Sequence, residues 1–147
     1  MSRESLIMTK PGSQELSVRH DIYTECLLAG LDVNLLGNKK LKKEDVYLIY
    51  GEYSQEEWFT KFVDYLTSGE IAVFVTGGNG AVEKTLEIRD RIRNKYATDR
   101  ERNAVHAPKT EEAAEEGLKK AEQIFEDHKV LERIRFRRAT GFDIPVK

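Results

Sequence analysis

The sequence predicts a single α+β domain, because short apolar runs alternate with longer segments of helical spacing. The runs at residues 6–9, 31–35, 71–75 and 104–106 have the length and composition of strands. Two helical segments lie between the second and third runs, and one helical segment follows each of the others. This order is typical of a ferredoxin-like βαββαβ antiparallel sheet with a helical hairpin inserted between the second and third strands. A chain of 147 residues is long enough for one such domain with a sizeable core.

Capping residues mark the helices of the first half of the chain. Ser13 can cap the first helix, which ends at Gly30. A basic turn over residues 38–43 leads into a short second helix. Ser54 and Glu57 form a capping box for the third helix. The apolar face expected for the third helix consists of Trp58, Phe59, Phe62 and Leu66.

The second half of the chain contains two longer helical patterns. Apolar spacing predicts a helix over residues 81–96, and Thr110 caps the last helix. The residues expected to face inward on the last helix are Ala114, Leu118, Ala121 and Phe125. Residues 127–147 form a basic C-terminal tail of the same domain; its alternating arginines fit a strand, although the helix could also continue.

Overall composition excludes several classes of function. The net charge of −2 and the pI near 6.0 do not point to nucleic acid or an anionic membrane as a partner. No apolar run reaches the ~18 residues that a membrane span needs, and the first ten residues have no signal-peptide core. Cys26 is the single cysteine and cannot form an internal disulfide, which favours the cytoplasm. The histidines have no cysteine partner at ligand spacing, so we expect no structural metal site.

A glycine-rich stretch at residues 78–85 lies between a predicted strand and a predicted helix, as a phosphate-binding P-loop would. Glu83 occupies the position at which that motif needs glycine, and its carboxylate would repel a phosphate. We therefore expect a glycine turn that leads into the helix.

His106 is the candidate reactive residue. It ends a short strand just before the helix N-terminus at Thr110, where unsatisfied N–H groups suit a phosphate. A neutral imidazole, with an unperturbed pKa of ~6.5, can act as a nucleophile or a base. The alternative is a histidine that simply ends a half-buried strand. Other polar residues also lie where predicted elements stop, which are positions where functional groups gather: Lys10, Tyr50, Arg93 and Asn103.

An ordered set of short motifs resembles the nucleoside diphosphate kinase family. The motifs are, in chain order, the strand Leu6-Ile7-Met8-Thr9 with its Lys10-Pro11 pair, Tyr50, Trp58-Phe59, Ser68-Gly69, the Ile92-Arg93 pair and Asn103-Ala104-Val105-His106. The resemblance extends from the first strand through the helix after the histidine. It implies the ferredoxin-like fold of that family and a phosphotransferase activity.

The resemblance also implies a role for each candidate residue. His106 would be phosphorylated transiently and would carry the γ-phosphate of a nucleoside triphosphate to a nucleoside diphosphate. The residues implied to hold the nucleotide are Lys10, Tyr50 and Arg93 at the phosphates and ribose, Asn103 at the sugar hydroxyl, and Trp58 at the base. Mg²⁺ would accompany the nucleotide, and a homo-oligomer is implied because the family is commonly hexameric or tetrameric.

Two departures from the family's pattern leave a second function open. The segment before Arg93 is shorter than in the family and lacks its G-x-T-x-P loop together with an arginine. Arg89, one helical turn before Arg93, is the residue we expect to replace that charge, in preference to Arg91. Gly117 stands where the family has a glutamate that supports the histidine. The alternative to an active phosphotransferase is therefore a nucleotide-binding or assembly module with little turnover.

Overall fold

The computed structural model describes residues 3–12, 14–98 and 103–125. The elements in chain order are β1 (Glu4–Thr9), α1 (Glu15–Leu28), β2 (Asp32–Lys40), α2 (Lys43–Tyr50), α3 (Phe59–Leu66), β3 (Glu70–Gly77), α4 (Ala81–Tyr96), β4 (Val105–His106) and α5 (Glu111–Ile124). A short 3₁₀ turn, Gly51–Tyr53, follows α2. The predicted basic tail and the predicted cap at Ser13 lie outside the described residues. No helix in the described ranges is both long enough and apolar enough to cross a bilayer.

The four strands form one sheet in the order β2-β3-β1-β4, and neighbouring strands are antiparallel. The helical pair α2 and α3 lies between β2 and β3 in sequence. This is the predicted ferredoxin-like arrangement with its inserted hairpin, and the prediction is confirmed. β1 has a neighbour on each side, because Met8 pairs with Val73 on β3 and with His106 on β4.

Alternation along the central strands divides the core into two layers. We call the side covered by α1 and α4 the closed face; its core includes Ile7, Val18, Ile22, Phe74, Ile88 and Ile92. We call the side covered by α2, α3 and α5 the open face; its core includes Leu6, Met8, Phe59, Phe62, Val73 and Leu118. Each central strand contributes to both layers, so the sheet is buried on both sides.

The second strand is longer than predicted. It continues to Lys40, so the first part of the predicted basic turn is strand. A bulge between Leu35 and Gly37 shifts the alternation: Leu36 is buried at 2% exposure, whereas Leu35 is 37% exposed. Glycine is required at the bulge, because a Cβ at position 37 would lie 2.6 Å from the ring of Phe125.

The start of α3 also differs from the prediction. Ser54 is the C-cap of the 3₁₀ turn, and its amide donates to the Gly51 carbonyl. The predicted capping box of Ser54 and Glu57 is therefore wrong. Helix α3 begins later, with Trp58 in the N-cap position and no side-chain cap. By contrast, the predicted cap at Thr110 is confirmed, since its hydroxyl accepts from the amide of Ala113 at 3.0 Å.

The glycine-rich loop lies at the end of the sheet away from His106. Gly77 pairs with Glu4 at the start of β1, whereas His106 pairs with Met8, four residues or roughly 13 Å along that strand. Gly78 and Gly80 have φ values of 134° and 69°, which suit glycine, and Gly80 occupies the N-cap position of α4. The loop is the predicted turn into a helix.

Candidate functional site

Three backbone contacts fix the segment that carries His106 against the end of β1. Met8 pairs with His106, and the amide of Lys10 donates to the carbonyl of Ala104 at 2.8 Å. The amide of Val105 donates to the carbonyl of Asn103 at 2.9 Å, which closes a three-residue turn over Ala104. Ala104 has a φ of 74°, a strained value for a residue with a side chain.

The side chains of Lys10 and Asn103 also connect the end of β1 to the segment that carries His106. The ammonium of Lys10 donates to Oδ1 of Asn103 at 2.7 Å, and it lies 5.5 Å from the centre of the Phe62 ring. The lysine is almost completely buried. A buried ammonium held in this way places a positive charge at a defined position beside His106.

The predicted site residues converge on one cleft of about 630 Å³ on the open face. The cleft is lined by six of the seven residues singled out from the sequence: Lys10, Tyr50, Trp58, Arg89, Arg93 and His106. The seventh, Asn103, is brought to the same place by its hydrogen bond to Lys10.

The cleft carries an excess of positive charge. Its cations are Lys10, Arg89, Arg93, Lys109 and Lys120, whereas its carboxylates are Glu52 and Glu116. Glu116 already has a partner, since its carboxylate lies 3.4 Å from the ammonium of Lys120. A concave surface with this balance attracts an anion of several charges, such as a phosphate chain.

His106 is held in its neutral form. Burial, and then the charges of Lys10, Arg93 and Arg89, lower the pKa of its imidazole to about 3. The ring packs edge-on against Tyr50, with the ring centres 5.4 Å apart. Among the described residues, no side chain forms a hydrogen bond with the imidazole. A neutral ring keeps a lone pair and can act as a nucleophile at pH 7.

Helix α4 supplies two arginines to the cleft. Nε of Arg93 donates to the carbonyl of Val105 at 3.0 Å, and burial followed by the charge of Arg89 lowers the pKa of Arg93. Arg89 lies one turn earlier on the same helix face and also lines the cleft, with its guanidinium 2.7 Å from the carboxylate of Asp90. Arg91 instead pairs with Glu25 on α1.

Tyr50 forms the deep wall of the cleft. Its ring packs edge-on against Phe62 at 4.9 Å between ring centres, and burial raises the pKa of its phenol. The hydroxyl is buried, yet it has no hydrogen-bond partner in the part of the chain that the structure describes. An unsatisfied buried hydroxyl is costly and marks a place where a ligand can supply the partner.

Sequence comparison gives the deciding observation. The nucleoside diphosphate kinase family model matches residues 3–130. The chain belongs to the nucleoside diphosphate kinase family. This membership confirms the enzyme class predicted from the sequence, a phosphotransferase that acts on nucleotides.

Individual family members are distant relatives. The nucleoside diphosphate kinase of Campylobacter hominis is 31% identical over 76% of this chain and 89% of its own length. That of Legionella pneumophila is 28% identical over 90% of this chain and its full length.

Solved structures of the family share the fold. The nucleoside diphosphate kinase of Aquifex aeolicus superimposes with a TM-score of 0.68 at 22% identity, covering 80% of this chain and 93% of its own. That of Encephalitozoon cuniculi gives a TM-score of 0.69 at 23% identity, covering 80% of this chain and 87% of its own.

At Gly117, helix α5 offers the histidine no side chain and packs closely on β1 instead. A Cβ at this position would lie 3.1 Å from Cδ2 of Leu6, so the helix packs closely on β1 here. Beside this contact is an apolar hollow of about 60 Å³, lined by Leu6, Gly117, Phe125 and one side of His106. The imidazole therefore has a polar cleft on one side and apolar side chains on the other.

Several residues of the cleft were not predicted from the sequence. They are Glu52, Tyr53, Phe62, Lys109 and Lys120. The density of aromatic residues between Tyr47 and Phe62 was a signal for the aromatic wall, but a ring in such a segment is more often part of the core. The described residues contain no group of three or more His, Cys, Asp or Glu side chains arranged to hold a metal ion.

Proposed function

We propose that this chain transfers the γ-phosphate of a nucleoside triphosphate to a nucleoside diphosphate through a phosphohistidine formed on His106. The observation that carries the proposal is a neutral imidazole in a cleft with cations on the β1 and α4 sides. Family membership favours this function over the alternative module with little turnover.

The reaction consists of two displacements at phosphorus. In the first, the lone pair of a ring nitrogen of His106 attacks the γ-phosphorus, an N–P bond forms, and the bond to the bridging oxygen breaks to release the nucleoside diphosphate. In the second, a terminal oxygen of another nucleoside diphosphate attacks the same phosphorus, and the N–P bond breaks. The other ring nitrogen keeps its proton throughout.

The cations of the cleft stabilise the charge of the transferred group. Lys10 and Arg93 are held near His106 by Asn103 and by the Val105 carbonyl respectively, so they are positioned before the nucleotide arrives. Phosphoryl transfer depends mainly on such positioning and charge neutralisation. Arg89 adds a third cation, because its ion pair with the exposed carboxylate of Asp90 costs little to exchange for a phosphate.

The remaining predicted residues bind the rest of the nucleotide. The hydroxyl of Tyr50 gains its missing partner from a phosphate or the ribose, Asn103 binds the sugar hydroxyl beside Lys10, and Trp58 stacks on the base. Mg²⁺ bound to the phosphates of the nucleotide would neutralise part of their charge, with ligands supplied mainly by phosphate and water.

Labelling with γ-³²P ATP and Mg²⁺ tests this proposal. The wild type should acquire label that is stable to alkali and lost in acid, as a phosphoramidate is, and should pass it to an added nucleoside diphosphate. His106→Ala should abolish both steps. His20→Ala is the matched control, since His20 is 82% exposed on α1. Label retained in His106→Ala would contradict the assignment.

We also propose that the chain forms a homo-oligomer. Helix α1 exposes three leucines, Leu16, Leu27 and Leu28, at 76%, 72% and 80%, and the adjacent edge strand β2 exposes Leu35. Exposed apolar side chains next to a strand edge that no other described strand covers are typical of a subunit contact. A monomeric mass by light scattering at micromolar concentration would contradict the proposal.

A cytoplasmic location is the last part of the proposal. Its support is Cys26, the single cysteine, which is buried within the closed face. Finding the protein outside the cytoplasmic fraction of its cells would overturn it.

A further inference from the structure

Two aromatic rings form the outer wall of the cleft. Tyr53 ends the 3₁₀ turn, and Trp58 occupies the N-cap position of α3. Their ring centres lie 5.7 Å apart with the ring planes inclined at 43°, and both rings line the cleft. They are 42% and 38% exposed, so each offers part of its surface to a ligand.

Both rings are attached to well-defined structure. Trp58 packs edge-on against Phe62, with ring centres 5.5 Å apart. The backbone around Tyr53 is held by two turn hydrogen bonds, from Ser54 to Gly51 at 3.1 Å and from Glu56 to Tyr53 at 3.0 Å. The backbone that carries Tyr53 is therefore held without its side chain, which can be replaced without breaking the turn.

The inclination between the rings determines what they can bind together. Because the two planes are inclined at 43°, a planar base that lies flat on Trp58 can meet Tyr53 only at its far edge. A fused pair of rings extends further than a single ring and so is the better able to reach across the 5.7 Å between the two ring centres. Stacking energy grows with the area of overlap, so the second ring of a purine gains contact that a pyrimidine lacks.

We propose that Tyr53 and Trp58 together form a base platform that makes this enzyme prefer purine over pyrimidine nucleotides. The inference rests on the proposed function only in placing a nucleotide in this cleft, and it assigns to Tyr53 the selection between the two classes of base.

Equilibrium binding of ADP and UDP by the full chain tests the platform. Trp58 is the only tryptophan, so its fluorescence reports on the cleft, and calorimetry gives an independent Kd. The wild type should bind ADP at least about fivefold more tightly than UDP, in line with the stacking of one additional ring. Tyr53→Leu should weaken ADP binding more than UDP binding and bring the ratio of the UDP Kd to the ADP Kd below about two.

Two further variants separate the ring from other effects. Tyr53→Phe keeps the ring and should retain the wild-type ratio. Tyr47→Leu is the matched control, because Tyr47 is an exposed aromatic residue of the same segment that packs on Phe59 and does not line the cleft. The inference is overturned if Tyr53→Leu leaves the ratio unchanged, if Tyr53→Phe loses as much as Tyr53→Leu, or if Tyr47→Leu has the same effect.

Failure of the proposed function gives a different result. A wild type that binds ADP and UDP with the expected ratio but forms no phosphohistidine would overturn the transfer mechanism and support the platform. A wild type that binds neither nucleotide would overturn both.

Discussion

The two faces of the sheet differ in how their charged side chains are used. On the closed face, α1 and α4 are connected by Arg91 to Glu25 and by Lys95 and Tyr96 to Asp21. The hydrogen bonds from Tyr96 and then Lys95 lower the pKa of the Asp21 carboxyl. The open face instead has a large cleft, a small apolar hollow, a buried tyrosine hydroxyl without a described partner and two half-exposed rings.

On the closed face the charged groups join two helices, whereas on the open face they line a cleft that can take a ligand. Helix α4 takes part in both. Its apolar residues Ile88 and Ile92 pack into the closed face, whereas Arg89 and Arg93 line the cleft. The two arginines reach the cleft past β4, because this strand has only two residues. Arg93 contacts β4 at the carbonyl of Val105. Neighbouring faces of one helix therefore contribute to the core and to the cleft.

The largest effect is expected when the two sides of α4 are compared. Arg89→Ala should lower kcat for phosphate transfer at saturating nucleotide by ~10²–10³, the usual cost of losing one positioned contact to a transition state. Arg91→Ala is the matched control and should leave kcat close to that of the wild type, because this arginine pairs with Glu25. Equal losses in the two variants, or no loss in either while the wild type is fast, would contradict the assignment of Arg89.

A smaller effect is expected in the acid stability of the ligand-free protein. The folded pKa of His106 is about 3, below the unfolded value of ~6.5, so the unfolded chain binds more protons between these values. The free energy of unfolding should therefore fall as the pH drops below about 6.5, by ~1–2 kcal/mol between pH 7 and pH 5.

Denaturant titrations at pH 7, 6 and 5 measure this loss. His106→Gln should remove most of the pH dependence that this histidine causes, whereas His20→Gln, on the exposed side of α1, should not. An unchanged slope in His106→Gln would show that the imidazole is not held neutral by the open face.

The smallest effect is expected at Tyr50. Tyr50→Phe removes a buried hydroxyl that has no described partner, so the ligand-free protein should become more stable by about 1 kcal/mol. The same change should reduce the increase in Tm that saturating ADP produces, because the phenol can no longer bond to the nucleotide. Loss of stability in the ligand-free variant would mean that the hydroxyl has a partner in the free protein.

The sequence was sufficient for the features that depend on local spacing. Apolar periodicity located the four strands and the inserted hairpin, because these patterns follow from the geometry of each element alone. The choice of Arg89 as the α4 residue beside Arg93 also follows from helical spacing, and both residues line the cleft. The order of the motifs predicted that residues as distant in sequence as Lys10 and His106 belong to one site.

Contacts between distant elements could not be predicted in this way. The bulge in β2 depends on the ring of Phe125, which lies over Gly37 from the other end of the chain. Helix α3 starts later than predicted because Ser54 is the C-cap of the preceding 3₁₀ turn. Tyr53 was missed because its exposure in the cleft is a result of that same turn.

The attachment of the histidine segment to β1 has a mechanical consequence. The segment is joined to that strand by pairing at Met8, by the backbone of Lys10 and by the side chain of Lys10. The imidazole of His106 is therefore attached to a central strand that has neighbours on both sides. In the proposed mechanism the phosphate chain travels to a nucleophile held in place by the sheet, so the accuracy of transfer is set by how the incoming nucleotide is oriented.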